Sequence, residues 1–343
     1  DVEYVINATD NDREGELIAF LIFLLAKNKK PVKRILVNEW TPQDITRGLE
    51  NLKDEEDMRN LQAAGYTRLI TDWLIGINFT SVATLKYGNG KLLNIGRVIL
   101  PTVKLVYDRD MEIKNFVPKT YFEIEGNFKC TNGTYKGKLI KGKETKFDTE
   151  EEAMAVIDSI NSKEGVISSK KVTKSKEYAP KLFSLTSLQG HITSKYSHFT
   201  SDKVLSVCQS LYEGKGKGGY ITYPRTDSVY LEESLTDKAS QTLNRLKSGL
   251  PYEDKIKFAK TKRVFDSSKV DSHSAIIPTY IVPNSLTPDE QIVYQAIKDR
   301  FIANFMPPAE YENTEIKTDV DDSVFLTKGK VLKVKGYLEV YNK

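Results

Sequence analysis

Two strand-rich stretches lie far apart in this 343-residue chain, with mostly helical text between them, and that separation constrains the fold most. After Pro118, the run Tyr121-Phe122-Glu123-Ile124-Glu125-Gly126-Asn127-Phe128 alternates at period two, as does Thr134 to Ile140. Such alternation marks antiparallel strands. A short helix near residues 150–160 and a strand from Val166 to Val172 follow, and from about Glu315 to Tyr341 the text is strand-like again. The last stretch pairs most economically with the first. The spacing therefore predicts one discontinuous antiparallel domain, 118–176 with 285–343, and a domain inserted at 177–284.

A chain of 343 residues exceeds one ordinary core, and two to four domains of roughly 100–200 residues each are expected. Hydrophobic residues make up 39% and charged residues 29%, a soluble profile. The longest apolar run, Leu17 to Ala26, falls short of the roughly 20 residues that a bilayer span needs. With no signal peptide in view, a cytoplasmic protein is expected. Cys130 and Cys208 lie far apart and fit a reducing compartment, and two cysteines cannot make a four-cysteine zinc site. Lys and Arg number 51 against 47 acids, a net charge of +4 that by itself does not indicate nucleic acid. Local clusters (Lys170, Lys171, Lys174 and Lys176; Lys215 with Lys217) read first as solvated faces. No repeat of fixed period is present.

Residues 2–6 read as a buried strand, followed by the loop Asn7-Ala8-Thr9-Asp10-Asn11-Asp12-Arg13-Glu14-Gly15-Glu16 and a helix through about Asn28. Acids at the carboxyl end of a strand sit where open α/β sheets bind ligands. Four acids in seven residues repel one another, and a divalent cation such as Mg2+ relieves that repulsion. The alternative is that the helix dipole favours them, which suits Glu14 and Glu16 better than Asp10 and Asp12. A second strand, Arg34 to Asn38, and a helix capped by Thr41 with Pro42 at its first position make a βαβα pattern over 1–55. A parallel sheet of two strands alone is unstable, so further strands are expected before residue 1.

Residues 56–117 read as helical. Arg68 and Asp72, four apart, face each other as an ordinary surface pair does. Gly96-Arg97 opens a second helix, where a phosphate is one possible ligand. In the insert, Ser184 to Tyr196 is one helix, and Thr200 caps another that ends at Gly214. The loop from Gly214 to Gly219 is glycine-rich and basic, but no G-x-x-x-x-G-K-[ST] occurs anywhere, and no ATP site is expected. Tyr220 to Tyr223 are strand formers stopped by Pro224. In an extended segment Tyr223 and Arg225 share a face, which sets a phenol beside a cation suited to phosphate. The same ten residues also fit a strand-end turn. His273 stands in a loop, where a lone histidine serves structure more often than catalysis. A helix from Leu231 to Lys247 and a last one from Thr287-Pro288 to about Phe305 complete the chain.

Together these segments resemble the type IA DNA topoisomerases, in the family's order. Residues 8–16 resemble the Toprim signature A-T-D-x-D-R-E-G-E, and Asn94-Ile95-Gly96-Arg97-Val98 with Pro101-Thr102 resembles G-R-V-Q-x-P-T. Ile221 to Ser228 resembles I-T-Y-x-R-[ST]-D around the active-site tyrosine, and Ser272 to Thr279 resembles A-H-x-A-I-x-P-T. Phe183 to Gln189 also fits. Tyr-Pro-Arg and Ala-Ile-Ile-Pro-Thr lean towards the bacterial topoisomerase III branch. Ile99 stands where the family commonly has Gln, which departs at one DNA contact.

The resemblance implies an α/β plus α+β multidomain toroid. Its parts are a partial Toprim domain (1–55), a helical DNA-groove domain (56–117), an antiparallel β arch (118–176 and 285–343) and an inserted tyrosine domain (177–284). It also implies a preceding strand with a catalytic Glu and a nearby Lys, and more of the helical domain beyond residue 343. Tyr223 is then the nucleophile, with Arg225 and His273 supporting the scissile phosphate. Asp10, Asp12 and Glu14 hold Mg2+, and Arg68, Asp72, Arg97 and Gln189 contact DNA. The implied activity is ATP-independent cleavage of one strand through a 5′-phosphotyrosyl link, strand passage and religation. Its substrates are single-stranded and negatively supercoiled DNA, and the enzyme a monomer without membrane contact. Two alternatives stay open at this point: another Toprim enzyme, a primase or nuclease, and a catalytically incomplete fragment that binds single strands.

Overall fold

The structure is a computed structural model that describes residues 2–37, 42–142, 144–214, 218–271 and 273–341, with Gln43 described by its backbone only. Asn38, the Thr41 cap, Lys215 and Lys217 of the basic loop, and Ser272 lie outside the described residues. The chain divides into two compact units, Asp1–Lys114 with Pro180–Phe305, and Asn115–Ala179 with Met306–Lys343. Among the described residues no helix is long and apolar enough to cross a membrane.

The first unit begins with a small sheet in the order β1-β2-β3, where β1 is Val5–Asn7, β2 is Val32–Arg34 and β3 is Lys53–Asp54. β1 and β2 are parallel, with Val5 opposite Val32, and β3 adds antiparallel to β2. The first strand is not buried as expected: Val2 is 60% exposed and Tyr4 and Ile6 also reach solvent. Among the described residues β1 is an edge strand, paired with β2. Helix α1 (Arg13–Leu25) lies against α3 (Glu55–Tyr87), with Phe20 edge-on to Tyr66 at 5.9 Å between ring centroids. Their contact is close because Gly65 has no Cβ; one there would stand 2.7 Å from the Arg13 carbonyl oxygen. α2 spans Pro42–Glu50 and α4 spans Ile99–Lys114. No residue of α4 is buried, and the later turns of α3 expose Trp73, Phe79 and Leu85.

What shapes the loop between β1 and α1 is Arg34. Its side chain is only 1% exposed, and Glu16 and Asn7 around it are 4% exposed each. Nη1 donates to the carbonyls of Asn7 (3.2 Å) and Thr9 (2.8 Å), Nη2 donates to the Asp10 carbonyl (2.5 Å), and Nε lies 3.1 Å from Glu16 Oε2. One buried guanidinium thus gathers three loop carbonyls and one carboxylate, using the fixed fork that suits Arg to such sites. Burial works against both charges, pushing the Glu16 carboxyl up and the Arg34 guanidinium down from their ordinary values. Gly15 is required here as well, because a Cβ would fall 2.2 Å from the Asp10 carbonyl oxygen.

The rest of the first unit is a helical core. It contains α6 (Leu185–Thr193), α7 (Ser201–Glu213), α8 (Thr236–Lys247) and α9 (Pro288–Ala303). Caps fix the helix ends: Ser184 accepts from the Ser187 N–H, Thr200 from Lys203, and Thr287 from Glu290 in a capping box behind Pro288. Gly214 ends α7 at φ 62°, a left-handed value that glycine takes freely. Leu188, Ile192, Val204, Cys208, Leu211, Ile221 and Tyr223 share one buried cluster with Val293, Tyr294 and Ile297. That cluster corrects the expected boundary at 285, since α9 buries its residues here and the second unit resumes only at Met306. Residues 220–223 do not form a sheet strand. Ile221 makes a single antiparallel bridge with Pro278, flanked by bonds from the Thr222 N–H to the Ile277 carbonyl (3.0 Å) and from Thr279 to Tyr220 (3.0 Å).

In the second unit, five antiparallel strands run in the order β4-β5-β8-β7-β6: Glu125–Cys130, Gly133–Ile140, Ser323–Val334, Ala309–Val320 and Val166–Glu177. Helix α5 (Glu150–Ile160) packs on one face, where Ile124, Leu139, Phe147, Ala153, Val320 and Phe325 are buried. The strand expected at 121–128 begins at Glu125, with Phe122 bridging to Phe147. The stretch from Glu315 divides into the two long strands and a closing 3-10 turn at 336–341, where Gly336 at φ 52° leaves no room for a Cβ beside the Pro308 carbonyl. The lysines at 170, 171, 174 and 176 lie exposed on β6.

Arg34→Met removes the cation but leaves Glu16 buried, so unfolding free energy falls by about 3–5 kcal/mol. Adding Glu16→Leu recovers only part of the loss, because the Asn7, Thr9 and Asp10 carbonyls still lack their donor. Urea denaturation of the two variants measures both effects.

Candidate active site

Tyr223 is the best-defined group in the first unit. It follows the Ile221–Pro278 bridge, and its ring packs edge-on against Tyr212 (5.4 Å, 75°) and tilted against His273 (4.4 Å, 43°). Its hydroxyl donates to Asp10 Oδ2 at 3.2 Å. The phenol is 7% exposed. Burial first, and then the negative charges of Asp10 and Asp12, hold its pKa well above the usual tyrosine value; Arg225 acts in the other direction. Arg225 itself is exposed, so the two side chains expected on one face differ in burial while Arg225 still acts electrostatically on the phenol. The cause of the difference is Pro224 and the turn after it, with the Thr226 N–H bonded back to the Pro224 carbonyl at 3.0 Å.

Asp12 has two duties. Its Oδ1 accepts from the Gly15 N–H at 2.8 Å as the N-cap of α1, so the helix-start explanation fits this residue better than its sequence context suggested. Its Oδ2 lies 3.8 Å from His273 Nε2. The neighbouring His273 ring, together with the Gly15 N–H, holds the Asp12 carboxyl below its ordinary value against the opposing effect of burial. His273 is 6% exposed, and neither ring nitrogen has a hydrogen-bond partner among the described residues. A buried, unsatisfied polar ring beside a tyrosine and a carboxylate calls for a functional explanation.

Glu14 does not join the other two acids. It pairs with Arg68, and more distantly with Arg13 at 3.6 Å. Arg68 also faces Asp72 at 3.7 Å, and Asp72 accepts from Arg97 Nε at 2.9 and 3.1 Å through its two oxygens. Arg97, more than Arg68, holds the Asp72 carboxyl below its ordinary value. The side chains thus form an ionic chain, Arg97–Asp72–Arg68–Glu14, along α3 to the first turn of α1. The three acids expected to share a cation are not gathered: among the described residues, no three His, Cys, Asp or Glu side chains come together as a metal site. Gln189 is occupied with structure, its amide donating to the Ser201 carbonyl at the start of α7 (3.0 Å). Nearby, Lys238 of α8 pairs with Asp44 of α2.

Of the residues that frame the site, Tyr212 went unremarked in the sequence, and Arg34 and Glu16 were read there only as a strand residue and a helix-start acid. Arg34 and Glu16 frame the acidic loop, and Tyr212 walls the phenol. The strand expected from Arg34 to Asn38 is found instead at Val32–Arg34, and the charge at the start of the apolar run Arg34-Ile35-Leu36-Val37 was the available signal for the first pair.

The family model described as DNA topoisomerase matches residues 56–343, and that of the Toprim domain matches residues 1–40. DNA topoisomerase 3 of Bacillus subtilis is 32% identical over 349 residues, covering 100% of this chain and 47% of that protein. The topoisomerase 3 of Staphylococcus saprophyticus is 34% identical over 353 residues, covering 99% and 47%. Full-length topoisomerase I from Thermotoga maritima superposes with a TM-score of 0.72 at 27% identity, over 97% of this chain and 54% of that one. The chain spans about half the length of the curated relatives it matches, and it belongs to the type IA DNA topoisomerase family.

Proposed function

We propose that this chain carries the strand-cleaving centre of a type IA DNA topoisomerase, with Tyr223 as nucleophile. The observation that carries the reading is the Tyr223 phenol bonded to Asp10, beside the Asp12 charge and under the unsatisfied His273 ring. Tyr223 Oη attacks a backbone phosphorus of a single strand. The bond from phosphorus to the 3′ oxygen breaks, the 5′ phosphate stays on the tyrosine, and the 3′ oxygen takes up a proton from solvent as it leaves as a hydroxyl. The other strand or duplex passes, and the 3′ hydroxyl then attacks the phosphotyrosine to restore the backbone, which relaxes negative supercoils or unlinks joined molecules. Each step exchanges one phosphodiester for another, so no nucleotide is consumed.

Asp10 Oδ2, at hydrogen-bond distance, is placed to accept the phenol proton. Arg225 is exposed and within electrostatic reach of the phenol, where it would bind the phosphate and stabilise the charge developing on it. His273 has a free ring nitrogen to offer the same phosphate. The donors fit Mg2+: Asp10 and Asp12 present only hard carboxylate oxygens, and Mg2+ is usually held by one or two carboxylates with water and phosphate. If held there by Asp10 and Asp12, Mg2+ would offset the acid charge that favours the proton on Tyr223 and opposes an incoming phosphate. Arg97, exposed just ahead of α4, would contact the DNA backbone.

Incubating the chain with a single-stranded oligonucleotide and Mg2+, then denaturing, should leave a covalent adduct on Tyr223. Tyr223→Phe should give none, and an adduct that survives this change removes Tyr223 from the role. An oligonucleotide that binds without any adduct favours the incomplete, strand-binding fragment instead. The electrostatic reading has its own check. Negative charge beside a phenol stabilises its proton, so Asp10→Asn should lower the Tyr223 pKa, read by NMR titration of 13C-labelled tyrosine; an unchanged value contradicts it.

A further inference from the structure

The ionic chain ending at Glu14 runs from Arg97, just ahead of α4, to the acidic loop, in a way that neither a surface salt bridge nor a three-acid metal site explains. Its members are half-open to water, with side chains 51% (Arg97), 35% (Asp72), 32% (Arg68) and 49% (Glu14) exposed. Ion pairs this exposed are individually weak, at about 0–1 kcal/mol, and exchange partners readily. The buried Arg34–Glu16 pair two residues further along α1 cannot do so. The backbone beneath the chain is fixed, because Gly65, one turn before Arg68, holds α3 hard against the Arg13 carbonyl. Glu14 and Arg68 therefore meet across a rigid seam, and only side chains need to move. Arg68 is shared between two acids, and its 3.7 Å contact with Asp72 leaves room to tighten. On the far side of the acids, His273 is buried and unpartnered among the described residues, facing Asp12, so the site has unused polar capacity.

We infer that this chain is a relay: a DNA phosphate bound by Arg97 frees Asp72 to draw Arg68 away from Glu14, and Glu14 then joins Asp10 and Asp12 around the divalent cation. Without DNA, Arg97 occupies Asp72, Arg68 stays on Glu14, and the cation has two carboxylates. With DNA it has three. The inference rests on the reading of Asp10 and Asp12 as a cation site. By linkage, strand and cation each strengthen the other's binding by the same factor.

The test uses Tyr223→Phe, which binds without cleaving, and calorimetric titration with Mg2+ in the presence and absence of a short single-stranded oligonucleotide. The oligonucleotide should tighten Mg2+ binding about tenfold, within the usual range of such coupling. Asp72→Asn cuts the relay while leaving Arg97 for the strand, and coupling should fall below about twofold. Arg68→Gln should bind Mg2+ without DNA as tightly as the parent does with it. Coupling that persists in Asp72→Asn means the phosphate acts on the cation directly, and overturns the relay. If strand and Mg2+ both bind without coupling, the relay alone fails; if either does not bind at all, the cation reading fails and the relay with it.

Discussion

Everything at the candidate site hangs from one buried guanidinium. A loop with four acids in seven residues has every reason to spread into water, and Arg34 prevents this by bonding its carbonyls rather than its carboxylates. The distinction matters. Because the Asn7, Thr9 and Asp10 backbone is held from behind, the Asp10 and Asp12 side chains stay available in front, one for the phenol and one for the helix cap and histidine. Glu16, the one acid that does neutralise Arg34, is removed from the site altogether. A charge pair buried this deeply is weak evidence of stability, but it is an effective way to give a polar loop one shape.

Burial of the Tyr223 phenol is the second constraint, since the ring is packed into the same cluster as α6, α7 and α9. That packing sets its direction and, with the charges of Asp10 and Asp12, favours its protonated form. The thiol of Cys208 in the same core is pushed up to about 12 by burial, so it stays protonated at neutral pH.

What could be read from the sequence was what depends on neighbours along the chain. α7, with Thr200 at one end and Gly214 at the other, and α9, with Thr287 and Pro288, carry their own start and stop signals. The segment 220–223 did not become a strand, because its partner is a single bridge 57 residues away, and strand propensity says nothing about whether a ladder is available. The boundary at 285 was misplaced for a similar reason: α9 is apolar on several sides, and periodicity does not say which core it enters. The acids illustrate the same limit at the site. Their spacing suggested shared work, whereas Glu14 is held by Arg68, 54 residues on, and Asp12 is held by its own helix.

The cap formed by Asp12 has a practical meaning for genetics. Removing this side chain takes away a charge near the phenol and the first hydrogen bond of α1 together, and that helix carries Glu14 and Glu16 into place. An inactive alanine variant at this position would therefore report on folding as much as on chemistry. Asparagine caps a helix about as well as aspartate and carries no charge. A comparison of the two variants separates the loss of the cap from the loss of the charge.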